Sequence, residues 1–458
     1  MKTVLKPVLL AAAIGAGFFA TQASHAEAPV DVVVQQRPVA AFSAIELAGP
    51  YDVVVRAQGR PGVEVAGERK ELDEVETFVR GDTLVVRPVQ RNGFNFSWGK
   101  RRTPTISITA SQLKSLRVSG SGDVDLSQLS GERFAVSVDG AGDLQASGAV
   151  RELAVRASGS GDVDLHRMKA ANVELTLSGA GDVRLSGVGN ELAATLSGSG
   201  DLEADGLRLA RLNARMSGAG GMKLAGSARE LRLEASGSGD FDACALAVEA
   251  ASTVQRGPGS ACLAGSIKKF DAEVSGSGDL EASGLQAAGA IVRLGGPGNA
   301  KLSGNIGDLT ADISGSGDLE AGELKVKRAA LKARGPGGIA LADVSDTLDA
   351  ELHGSGGLDA RIDGKRLLLK ITGSASARVD GKVELVKARL SGSGGLDGRG
   401  LKAGRADIAV TGPGNATVNV DERDERKAER RAERGRGRDD DRARLLVVDR
   451  SGSRHGAE

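Results

Sequence analysis

Residues 151–165 read RELAVRASGSGDVDL, and the inward-type positions Leu153, Val155, Ala157, Gly159, Gly161, Val163 and Leu165 are all odd-numbered. Arg156, Ser158, Ser160, Asp162 and Asp164 alternate with them. A period of two belongs to a half-buried strand, not to a helix. The same alternation returns in ELAATLSGSGDLEAD, residues 191–205, and then slips phase before the next run. A continuous strand keeps its parity, so each slip marks a corner.

The pattern is periodic. A glycine motif begins at Gly120 and recurs through Gly412, sixteen times in all, at intervals of 19 or 20 residues. Such an array predicts coils that bury their faces only by stacking on their neighbours. One unit is long enough for one coil of three short strands. Sixteen coils at the strand spacing of about 4.8 Å make a rod about 75 Å long. The central pair of glycines reads as a corner, where φ > 0 and close backbone approach are both needed. The Asp that follows is expected to accept hydrogen bonds within its own turn. A second period overlies the first. GSGD begins at Gly120, Gly159, Gly198, Gly237, Gly276 and Gly315, with GAGD, GAGG, GPGS, GPGN or GPGG between. This 39-residue superperiod admits an alternative in which one coil holds two units and the rod is half as long.

The array occupies residues 119–420. Before it, residues 27–118 carry strand-like runs punctuated by Gly and Pro, such as 53–55, 84–86 and 106–108. They suit an N-terminal β cap with the first coils, because a bare solenoid end exposes an unpaired strand edge. After it, residues 421–458 open with DERDERKAERRAERGRGRDDDRAR. That density of charge cannot bury a core and reads as a solvated tail, or as a tether to an anionic surface. Residues 1–26 read as a signal peptide: Lys2 and Lys6, an apolar stretch over 8–20, then Ser24, His25 and Ala26. The apolar stretch is too short for a comfortable membrane span. The expected product is exported, periplasmic or at the cell surface, without a transmembrane span after cleavage.

The segments VAAFSAIELAGPYDVVVRAQG (39–59), ETFVRGDTLVVRP (76–88) and PTISITASQLKSLRVSGSGDV (104–124) resemble the head GIN domain family, described as putative autotransporter adhesins and a domain of unknown function. The repeated SGSGDV strengthens the resemblance, which covers residues from about 37 to 420. It implies an all-β fold, a right-handed parallel β-helix, together with export and a role in cell adhesion. The chain carries more repeats than a typical member. It shows no C-terminal run of alternating strands of the kind that builds an outer-membrane barrel.

Composition narrows the chemistry. Lys plus Arg and Asp plus Glu are both 60, so bulk charge gives no nucleic-acid signal. Asp123, Asp143, Asp162, Asp182 and Asp201 share one place in successive units, and Asp240, Asp279 and Asp318 follow later. Stacked carboxylates suggest calcium. Yet Gly221, Ser260, Asn299 and Asn415 hold the same place, so turn capping is the simpler reading and no metal or cofactor is expected. Acidic residues recur in equivalent places and long cleft-forming inserts are absent, which speaks against a polysaccharide lyase or hydrolase and against an enzyme generally.

Six of the nine aromatic residues beyond the signal peptide precede residue 118. The stretch RNGFNFSWGKRR joins Phe94, Phe96 and Trp98 to Lys100, Arg101 and Arg102. It is either a hairpin loop whose rings cover the cap or a patch for an acidic glycan. Cys244 and Cys262, the only cysteines, lie in adjacent units with outward parity. An oxidising compartment favours their pairing, although a two-residue diagonal approaches the limit of about 7 Å between Cα atoms. The expected function is a non-enzymatic adhesion or envelope-scaffold role, with cell-surface or envelope components as partners. A glycan-binding module using the aromatic-basic patch is the alternative.

Overall fold

The computed structural model describes residues 32–89 and 103–420, together with the backbone of strands Arg444–Val448 and Arg454–Gly456. It is a β-solenoid of about 16 turns spaced by about 20 residues. Strand Leu144–Ala157 pairs in parallel with Val124–Val138 on one side and Val163–Leu177 on the other. Leu144 faces Val124 and Val163, so neighbouring coils are one unit apart and the two-unit coil is not formed. Each coil bends twice into three arms. In strand Leu202–Met216 the buried side chains are Leu202 and Ala204, then Leu207 and Leu209, then Leu212, Ala214 and Met216. Steps of two within an arm become steps of three at a bend, which is the parity slip of the sequence.

The 39-residue superperiod survives as an alternation in packing. Coils of 20 residues place a large side chain at the bend between the first and second arms: Leu129, Met168, Leu207, Leu246, Leu285 and Leu324 are all buried. The 19-residue coils between many of them place glycine in register there. Gly148 stands between Leu129 and Met168, Gly226 between Leu207 and Leu246, and Gly304 between Leu285 and Leu324. These glycines take φ of +146, +132 and +131°, a conformation that L side chains rarely adopt. At a coil spacing of about 4.8 Å, a large residue in every coil would crowd a tight bend, and alternation of large and small resolves it.

The N-terminal cap is not stacked in sequence order. Its strands are β1 (Val33–Arg37), β2 (Ala44–Leu47), β3 (Asp52–Arg56), β4 (Gly62–Gly67), β5 (Val75–Arg80), β6 (Thr83–Pro88), β7 (Thr105–Thr109) and β8 (Ser115–Val118), with the short helix α1 (Arg69–Leu72). β2 lies between β6 and β8, and β3 between β7 and strand Val124–Val138, all in parallel. The first coil in sequence is therefore the second in the stack. β4 and β5 cover β7 and β6 antiparallel, and β1 pairs antiparallel with β4. At the other end, Arg444–Val448 adds antiparallel to Ala416–Val420 and Arg454–Gly456 adds to it in turn. Part of the tail that composition leaves unstructured thus extends the sheet. The charge-dense residues 421–443 and residues 1–26, expected from the sequence to be a signal peptide, lie outside the described residues.

Candidate functional site

The conspicuous column of the molecule is the glycine corner, and of its two expected causes, positive φ and close backbone approach, the second dominates. From Gly120 to Gly356 the motif glycines do not have positive φ; only Gly373, Gly392 and Gly412 do, at +101, +117 and +119°. What the earlier ones require is space. A Cβ on Gly140 would lie 1.8 Å from Gly120 O, and one on Gly161 2.0 Å from Gly142 O. With a Cα–Cβ bond of about 1.5 Å, the glycine Cα lies at most about 3.5 Å from the oxygen, within the range of a Cα–H···O contact. The corner is a stack of backbones touching face to face.

Beside it runs the acidic column. The backbone N–H of Asp143 donates to Asp123 Oδ1 at 3.0 Å, that of Asp162 to Asp143 Oδ1 at 2.8 Å, and that of Asp182 to Asp162 Oδ1 at 2.8 Å. Asp201 N–H and Gly221 N–H continue the ladder onto Asp182 and Asp201. These aspartates therefore cap the next coil, not their own turn. The corner interrupts the ordinary strand ladder, and the carboxylate supplies the missing acceptor. Asn299 does the same for Asp318 N–H at 2.8 Å, which shows that an amide oxygen suffices. Serines on the other flank extend the zip: Ser119 Oγ donates to Leu47 O at 3.2 Å and Ser236 Oγ to Met216 O at 3.3 Å.

Cys244 and Cys262 are joined as a disulfide with Cα atoms 5.3 Å apart. Cys262 is in register with Asp242, and the bend after Ala243 shortens the diagonal that the sequence left doubtful. Asp242 with these two cysteines is the only group of three potential metal ligands among the described residues. Both sulfurs are consumed by the bridge. Of the three buried polar side chains among the described residues, Thr253, Gln255 and Thr347, none was legible in the sequence, and Gln255 has a structural role. Gln255 occupies an end-of-arm place that is Ala235 and Val274 in the adjacent coils. Its Nε2 donates to Gly259 O at 2.5 Å and Asp279 O at 3.1 Å, bracing a Gly-Pro-Gly corner from inside.

The outer faces carry ion pairs between neighbouring coils: Arg133 with Glu152 at 2.6 Å, Arg328 with Asp308 at 2.6 Å, and Arg389 with Asp407 at 2.8 Å. Among the described residues three carboxylates are shifted from their ordinary value, and all are lowered. Partial burial pushes Asp164 up, but hydrogen bonds from the His166 ring and backbone outweigh it. A hydrogen bond from the Arg399 side chain, then one from its backbone, brings Asp397 to about 2. The Arg389 guanidinium lowers Asp407. Where Gly338, Gly357 and Gly395 replace the acidic column, a groove of about 1230 Å³ opens along the last coils. Phe94, Phe96, Trp98, Lys100, Arg101 and Arg102 lie outside the described residues, between β6 and β7.

These features define a structural repeat rod, with its backbone zipped along one corner and its side faces charged. The chain belongs to the family described as "Putative auto-transporter adhesin, head GIN domain", whose profile matches residues 41–206, 149–229, 187–285, 264–359 and 341–428. No curated protein matches it. Among solved structures it is similar to a "putative lipid binding protein" from Parabacteroides distasonis ATCC 8503, with 20% identity, covering 64% of this chain and 95% of that one at a TM-score of 0.30. A "putative adhesin" from the same organism has 19% identity, 64% and 97% coverage and a TM-score of 0.35. A "putative adhesin" from Bacteroides fragilis NCTC 9343 has 13% identity, 83% and 96% coverage and a TM-score of 0.22.

Proposed function

We propose that this chain is an exported, non-enzymatic rod that acts in adhesion or as an envelope scaffold. The observation that carries the reading is the repetition itself, together with the adhesin family it belongs to. Successive coils present near-equivalent polar columns, which favours many weak contacts over one deep site. A general acid for glycoside cleavage needs a raised pKa, whereas the displaced carboxylates here are displaced downward.

The test begins with fractionation and protease treatment of intact cells. A surface adhesin is shaved by the protease, and beads coated with the purified chain are retained by envelope preparations. Protection inside the cytoplasm, or coated beads that behave as bare ones, would end the reading. The same assay on Trp98→Ala separates the glycan-module alternative, which requires that variant to lose retention.

A further inference from the structure

Over much of the array, columns on neighbouring coils pair opposite charges. The last coils keep pairs such as Arg389 with Asp407 and Arg378 with Asp397, but leave several cations outside them. Lys382 and Lys402 on the second arm, and Arg366 and Arg405 at the bend that follows it, are exposed, and their side chains have no hydrogen-bond or ion-pair partner among the described residues. Lys382 faces Lys402 directly across the strand ladder, and Arg405 shares a column with Arg366, with Leu385 between. Like charges directly opposite destabilise a sheet unless something neutralises them. Nearby Lys387 faces Asp407, but Asp407 is held by Arg389. Asp363 faces Lys382 but lies 3.6 Å from Arg361. Glu384 is the remaining exposed acid on this ridge, so positive charge is in excess.

We propose that this ridge binds a linear polyanion, an acidic polysaccharide lying along the rod axis. The cations follow the axis in two adjoining columns, and Arg366 and Arg405 stand two coils or about 10 Å apart, close to the length of two linked sugar rings. Asp363 begins the column that Lys382 and Lys402 continue, and Asp407 lies on the third arm two residues beyond Arg405, so acids bound the cationic stretch, which favours a narrow chain over a flat anionic lipid surface. The proposal rests on the adhesion reading and gives it a partner.

The test uses the purified full chain with polygalacturonate, its methyl-esterified neutral form, and phosphatidylglycerol vesicles. Binding to polygalacturonate should weaken steeply with salt and vanish for the esterified polymer. The K382Q/K402Q/R405Q variant should lose affinity roughly tenfold, as expected for three exposed charge contacts, while K169Q/R208Q on earlier coils binds as the parent does. The single variant R405Q serves if the triple variant unfolds. Undiminished binding by these variants, absence of polygalacturonate binding, or binding to vesicles in its place would each overturn the proposal. Cell retention without polygalacturonate binding would overturn the ridge alone and leave the adhesion reading standing.

Discussion

A glycine in the corner column and a glycine elsewhere are different residues in physical terms. Gly140→Ala would drive a methyl group into Gly120 O and should destabilise the protein by about 3 kcal/mol, whereas Gly322, with nothing within 4 Å of its missing Cβ, should tolerate Ala within about 0.5 kcal/mol. Paired urea denaturation curves check the contrast, and equal midpoints for the two variants would refute close stacking. The acidic column makes a similar distinction. Asp162→Ala removes the acceptor for Asp182 N–H and should cost about 1 kcal/mol, while Asp162→Asn should cost little, because Asn299 already does this work. Added calcium should leave the thermal midpoint of the parent unchanged. A calcium-dependent rise abolished by Asp162→Asn would restore the metal reading. The sequence showed the glycines and aspartates as recurring, but not to what they respond. Close approach at the glycines was expected, but inter-coil capping joins residues 19 or 20 apart, and local turn chemistry does not reveal it.

At the scale of one coil, alternation and phase slip were legible because each inward side chain is read against its own neighbours. The number of units per coil was not, since a 39-residue period describes both a two-unit coil and an alternation of unlike coils. The register of Gly148 between Leu129 and Met168 decides for the second. The disulfide belongs to this scale too. It closes a loop of 18 residues between successive coils, so replacing Cys244 and Cys262 by Ser should lower stability by about 3 kcal/mol in non-reducing denaturation. No difference between parent and double variant under those conditions would mean that the coil is held without the bridge. Gln255 was hidden for another reason: a lone amide in an alternating pattern looks like a solvent-facing residue until its column is known.

For the whole rod, the smallest unit that preserves both register and packing is a pair of coils. Deleting residues 163–201 removes one 20- and one 19-residue coil and joins Asp162 to Leu202, which keeps large and small bends alternating. Deleting residues 163–182 alone removes Met168 and brings two 19-residue coils together, with an expected cost of about 2–4 kcal/mol from the unfilled bend. Comparing the melting of the two deletions tests this, and equal melting would show that the alternation has no energetic weight. The array boundaries were legible from periodicity, but the crossing order of the cap was not, because nothing local in β2 or β6 states which will lie outside.

That crossing order sets a timetable for a chain emerging amino end first. β2 and β3 are made early, yet they are enclosed only when β6 and β7 have closed over one side and β8 with the following strand over the other. The cap is therefore complete only once roughly the first third of the chain is free, because each coil gains its stability from both neighbours. From then on every further 19 or 20 residues can settle onto a finished template.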